Sequence, residues 1–231
     1  MRNKQTGFTL VEIAIVLVII GLLLGGVLKG QELINSAKVK NFATDFRNIP
    51  LFIYGYQDKF KSLPGDDRAA NSHVAGATNA STGGTLGNGV IEGAWDSGTA
   101  TDESFLFWQH VRLAGLAAGP TNVADANYAP RNADGGLIGI TSANTAAPYI
   151  TGMRGTYMIC SGGILGKYAK QLDTLLDDGC PNTGSMLVVS GQPVGTSTGN
   201  VAVGLTTTVG GICVGPSAIS DSASYTVCMG L

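Results

Sequence analysis

The chain has 231 residues, 44% of them hydrophobic and 13% charged, which suits one domain of ordinary size with its own core. A net charge of −2 supplies no basic field, so nucleic acid is not an expected partner. The 34 glycines, mostly past Leu63 among Ser, Thr, Asn and Ala, describe a loop-rich body with short strands and exclude a charge- and proline-rich disordered tail.

Residues 1–7 are short and polar, with two cations, Arg2 and Lys4. Residues 8–28 then run with a single charge, Glu12. A helix of that length spans about 30 Å, the thickness of a bilayer's hydrocarbon core. Arg2 and Lys4 favour a cytoplasmic N-terminus, which sends the rest of the chain to the far side. A secretory signal peptide would have a shorter apolar core and a small-residue cleavage site, and neither is present. A plain single-pass anchor fits the length but leaves Glu12 unexplained. A carboxylate inside an apolar span costs about 2.5–3.5 kcal/mol, less near the interface, and such residues usually mark function.

Gly7-Phe8-Thr9-Leu10-Val11-Glu12, behind a short basic leader and ahead of an apolar helix, resembles the signal of type IV pilins and type II secretion pseudopilins. The resemblance implies cleavage by a prepilin peptidase between Gly7 and Phe8, and N-methylation of the new Phe8 amine. It also implies a structural role, without enzymatic activity, in a type IV pilus or a type II secretion pseudopilus. The alternative is a minor, tip-located pilin acting as an adhesion or substrate-binding module. The implied partners are the membrane, other pilin or pseudopilin subunits, the peptidase/methylase, and an assembly platform with its motor. The implied location is the bacterial inner membrane with the body periplasmic, then a pilus at the cell surface or a periplasmic pseudopilus. In the family the glutamate at the Glu12 position pairs with a neighbouring subunit's terminal amine. An ammonium and a carboxylate facing each other in a dry bundle offset each other's desolvation. Pairing within one chain, at i to i+4 spacing, is open as well. Many type IV pilins carry a proline near the end of the membrane half, where this chain has Lys29 and glycines.

The reading therefore divides the chain into a leader at 1–7, a transmembrane half-helix at 8–28, an amphipathic half at 29–62 and a globular pilin-like domain at 63–231. In the amphipathic half, Val39, Phe42, Phe46, Ile49, Ile53, Tyr56 and Phe60 recur at spacings of 3 and 4, one stripe of a helix. Gly21, Gly25, Gly26 and Gly30 permit bending, and Pro50 removes one backbone hydrogen bond, which predicts a kink. Leu63-Pro64-Gly65-Asp66-Asp67 ends the helix.

Residues 75–98 read as an extended loop with a short strand at 89–91. A helix is expected over 105–118 after a start at Thr101-Asp102-Glu103-Ser104, and a second over 167–176. Strands are expected at 137–141, 156–160, 186–189, 201–205, 209–214 and 225–229. The fold class is α+β: one long N-terminal helix whose second half packs on an antiparallel sheet. Cys160, Cys180, Cys213 and Cys228, an even count without CxxC or zinc spacing, read as two disulfides in an oxidising compartment. The short loops favour Cys160–Cys180 and Cys213–Cys228.

No H-E-x-x-H or P-loop is present. His110, in the 105–118 helix, reads as a packing histidine, and His73 lies in a polar loop. Asp66, Asp67, Asn88, Glu92 and Asp96 are hard oxygen ligands in loops, the chemistry calcium needs. They lack EF-hand spacing, and acidic turn residues are usually solvated; calcium stays open there and no other cofactor is expected.

Overall fold

The computed structural model describes residues 10–82, 84–143, 148–191, 200–203, 208–209, 212–213 and 219–231, with residues 208, 209, 212 and 213 described by backbone alone. Helix α1 spans Leu10–Phe60, continuous through Pro50. Pro50 lacks the amide proton a helix interior uses, yet no break in α1 marks it. The chain divides into two compact units, Met1–Lys38 and Val39–Leu231.

In the second unit the α1 stripe goes where its period points. Val39, Phe42, Ala43, Phe46, Ile49, Ile53 and Tyr56 are buried, while Leu51 and Tyr54 between them are exposed. Phe60, the expected last member, is only partly buried. Lys61 then turns left-handed (φ 57°) and the helix ends. A short helix that the sequence did not announce, α2 (Ala70–His73), follows. The 89–91 segment is not a strand. Instead the Ile91 N–H donates to Ser142 Oγ (2.8 Å), and the Ser142 N–H donates to the Ile91 carbonyl (3.0 Å). Helix α3 (Glu103–Leu113) starts two residues earlier than expected and stops sooner, where Gly115 takes a positive φ. It is buried on nearly all sides, from Glu103 to Arg112.

Strands β1 (Ile138–Ser142), β2 (Tyr157–Leu165), β3 (Met186–Ser190) and β6 (Ser224–Gly230) form a four-stranded sheet in the order β1-β2-β6-β3, with helix α4 (Gly166–Leu176) following β2. All its pairings are antiparallel. Strand β2 runs five residues past its expected end because Gly162 and Gly163 form a bulge instead of a stop. The register with β6 shifts between Ser161 and Ile164, where Gly163 sits at φ 72°. The expected single strand at 209–214 is two, β4 (Thr208–Val209) and β5 (Ile212–Cys213), paired antiparallel on either side of Gly210-Gly211. Of the 201–205 strand, residues 201–203 are irregular, held by the Val203 N–H donating to the Val188 carbonyl (2.7 Å); 204 and 205 lie outside the described residues.

Both sheet faces are covered. Ile138, Ile140, Ile159, Val188 and Val227 point to the α1 stripe and to Tyr168, Ala169 and Leu172 of α4. Alternate residues Met158, Cys160, Leu187, Val189 and Cys228 point the other way, against Trp95, Ala143, Tyr149 and Ile150 from the loops. The α+β class and the antiparallel sheet against the helix stripe are as the sequence predicts.

The cysteine pairing is not. Cys160 and Cys228 form a disulfide across β2 and β6, where they are register partners with Cα atoms 4.1 Å apart. That bond rules out Cys160–Cys180 and Cys213–Cys228. Loop length misled because β6, near the chain's end, lies beside β2 and brings residues 68 apart into direct opposition. Cys180 is disulfide-bonded too, and the Cys213 side chain lies outside the described ones.

Candidate functional site

From Leu10 to Leu28 the first unit presents a surface made almost wholly of hydrocarbon. Its large apolar side chains range from 46% exposed (Ile20) to 88% exposed (Leu10). They fall at 10, 11, 13, 15–20, 22–24, 27 and 28, so at 100° per residue they cover every side of the helix. The segment is long and apolar enough to cross a membrane by length and composition. A helix apolar all round needs lipid or other helices about it. Gly21 and Gly25, and Gly26 and Gly30, stand four apart with nothing within 4 Å of where a Cβ would be. Small pairs at that spacing let helix backbones approach closely in lipid. The apolar run ends at Lys29, which bridges to Glu32 (2.7 Å) on the exposed surface.

Glu12 occupies the first turn of α1, where a carboxylate suits the positive end of the helix dipole. Gly7 and Phe8 lie outside the described residues.

Residues 2–28 match the family described as prokaryotic N-terminal methylation motif. The chain carries the type IV pilin and pseudopilin signal. That signal supports a type IV pilin- or pseudopilin-like substrate of prepilin peptidase. The signal implies pilin polymerisation in general and points to a structural protein, not an enzyme; with the apolar helix it fits inner-membrane anchoring. Comparison with curated proteins finds no match.

The acidic residues that sequence reasoning offered to calcium are placed otherwise. Asp66 and Asp67 are buried, not solvated. The Asp66 carboxylate accepts backbone N–H bonds from Gly87, Asn88 (3.3 Å) and Gly89 (2.7 Å). Burial pushes its pKa up, against those three donors. Asp67 accepts from the Tyr56 hydroxyl (2.9 Å) and the Ala69 N–H (3.0 Å), and lies 2.7 Å from His73 Nδ1. Burial raises its pKa too, but the His73, Ala69 and Tyr56 bonds outweigh that and lower it. This pins the end of α1 to the chain that follows. Asn88 donates to Glu92 Oε1 (2.8 Å), and Asp96 stands in a turn closed by Ser97 N–H on the Ala94 carbonyl. None of these carboxylates belongs to a three-ligand group within 4.8 Å among the described residues.

His73 is in α2, stacked on Phe60, not in a loop. His110 packs as expected: its Nδ1 accepts the Gly65 N–H (3.0 Å), so Nε2 is the protonated nitrogen and donates to the Thr78 carbonyl (2.8 Å). Burial keeps it neutral by lowering its pKa. Gly65 is required there, at φ 91° with Glu103 O where a Cβ would clash.

One group that sequence reasoning missed does come together. Oxygens of Asp173, Asp177 and Asp178 lie within 4.8 Å of one another at the end of α4. Its sequence signal was three aspartates within six positions closing a helix that has no basic residue in its last turn.

Proposed function

We propose that the chain is a structural subunit of a type IV pilus or type II secretion pseudopilus, packed into the polymer through the apolar half of α1. One observation carries this reading. The stretch that bears the prepilin signal is the same stretch whose hydrocarbon is exposed on every side of the helix. In the membrane lipid covers that surface; in a filament neighbouring copies do, with the glycine pairs permitting close approach. In this reading prepilin peptidase cuts between Gly7 and Phe8, Phe8 is N-methylated, and an assembly platform with its motor draws the helix out of the inner membrane. Cleavage removes Arg2 and Lys4, the cations that would resist that extraction. Glu12 meets the Phe8 amine of a neighbouring subunit, and each charge neutralises the other where water is excluded.

Intact-mass and N-terminal analysis of the native protein tests the processing: the expected chain begins at methylated Phe8, and one still beginning at Met1 overturns it. Glu12→Gln tests the assembly. The variant is expected to remain in the membrane and to be lost from sheared filaments, and normal incorporation sinks the pairing. Abundance in those filaments separates a shaft subunit from a minor, tip-located binding module.

A further inference from the structure

The end of α4 poses an electrostatic problem that nothing among the described residues solves. A helix C-terminus is the negative pole of its dipole and favours cations. Here Asp173, Asp177 and Asp178 bring three carboxylates there, and the last turn holds no basic residue. Asp173 is 1% exposed, both its oxygens are sealed from solvent, and among the described residues no well-formed hydrogen bond reaches either, the Gly179 N–H being the one donor nearby. A buried carboxylate without a partner, aimed at two others, is what a cation site looks like when its ligands are counted without the ion.

We propose that Asp173, Asp177 and Asp178 bind one calcium ion at the C-terminal end of α4. The two outer carboxylates are already oriented as ligands are in metal sites. Asp177 Oδ2 accepts the Ser185 and Met186 N–H groups (2.7 Å each), and its Oδ1 accepts the Ser185 hydroxyl (3.2 Å). Asp178 Oδ1 accepts the Cys180 N–H (2.8 Å) and Oδ2 the Thr183 hydroxyl (2.7 Å). Asp177 Oδ1 and both Asp178 oxygens each accept one such bond and keep a second lone pair for a cation, whereas Asp177 Oδ2 already accepts two. A helix's last carbonyls lack intrahelical donors, although that of Asp173 accepts the Asp177 N–H (2.7 Å), and Asn182 Oδ1, in the same loop, is buried with no partner among the described residues. Calcium accepts such irregular sets of six to eight oxygens, whereas magnesium demands near-ideal octahedra. Zinc is disfavoured, because the group contains no histidine and the nearby Cys180 is disulfide-bonded and offers no thiolate. The ion would tie the end of α4 to the loop that leads into β3.

The rival is a protonated Asp173. Burial, then the Asp178 and Asp177 charges, push its carboxyl up to about 7, against a nearby Gly179 N–H that lowers it. Calorimetric titration of the full-length chain in detergent micelles, stripped with chelator, separates the two. The expected result is one calcium per chain with Kd of about 10⁻⁵–10⁻³ M, and a melting temperature that rises with calcium. Asp178→Asn, on the surface, is expected to fold normally and bind at least about tenfold more weakly. Asp173→Asn is expected to abolish the calcium response while melting no lower than the stripped wild type. Absence of heat with an unchanged melting temperature overturns the proposal. So does Asp178→Asn binding as tightly as wild type, or an equal response to magnesium.

Discussion

One helix runs through two environments. From Leu10 to Leu28, α1 is apolar on every side and exposed, so no side of it is preferred and no neighbour among the described residues covers it. From Val39 to Tyr56 the apolar residues narrow to a stripe, and that stripe is buried against sheet and helices. The backbone is the same; the arrangement of hydrophobic side chains decides what each part needs. A stripe is satisfied by a fold, whereas an all-round apolar surface is satisfied by lipid or by other helices.

The sharpest test of this contrast is a pair of truncations. Phe46→Ala should destabilise the body by about 3–5 kcal/mol in denaturant unfolding, because it empties a filled site in the core. Leu17→Ala should leave the body's unfolding unchanged and reduce incorporation into filaments. If both lower stability alike, the division between the two stretches fails.

Within the body, replacing Cys160 and Cys228 together by alanine should cost about 2–5 kcal/mol, measured the same way, since the bond closes a long loop. A fall in the stability of the body with no effect on retention in the membrane keeps the two units distinct.

Glu103 gives a smaller, pH-dependent effect. Burial first, then a shared hydrogen bond with Glu92, raise its carboxyl from 4.5 to about 8. The folded state holds this proton more tightly than the unfolded chain, so its stabilising effect is complete below about 4.5 and is lost as pH rises through about 8. Thermal melts from pH 5 to 9 should decline, by on the order of 2 kcal/mol. Glu103→Gln, which keeps a donor toward Glu92, should flatten the decline. A wild-type profile rising toward pH 9 would refute the assignment. The least effect is expected at Lys29→Ala, where an exposed i,i+3 pair contributes less than about 0.5 kcal/mol.

What the sequence made legible was whatever repeats or sits at close range. The 3-and-4 spacing of Val39, Phe42, Phe46, Ile49, Ile53 and Tyr56 announces its own buried face, because a helix carries that period wherever it packs. The Gly7–Glu12 string and the apolar run are likewise local. Misreadings occur where a local cue had two outcomes. The strand expected at 156–160 runs on to Leu165 through a bulge at Gly162-Gly163. Gly210-Gly211 is the two-residue signal of a hairpin, and the pairing of β4 with β5 on either side of it agrees.

By itself, then, the sequence determined that this chain has a hydrocarbon rod bearing a processing signal, continued as an amphipathic helix on an α+β body. Tertiary structure alone decided which cysteine meets Cys160, that Asp66 and Asp67 turn inward to backbone amides and His73, and that Asp173 shares a corner with Asp177 and Asp178. The reason is physical. Hydrophobic period is written along the chain, whereas partners for cysteines and buried carboxylates come from strands and loops distant in sequence, brought together only when the core closes.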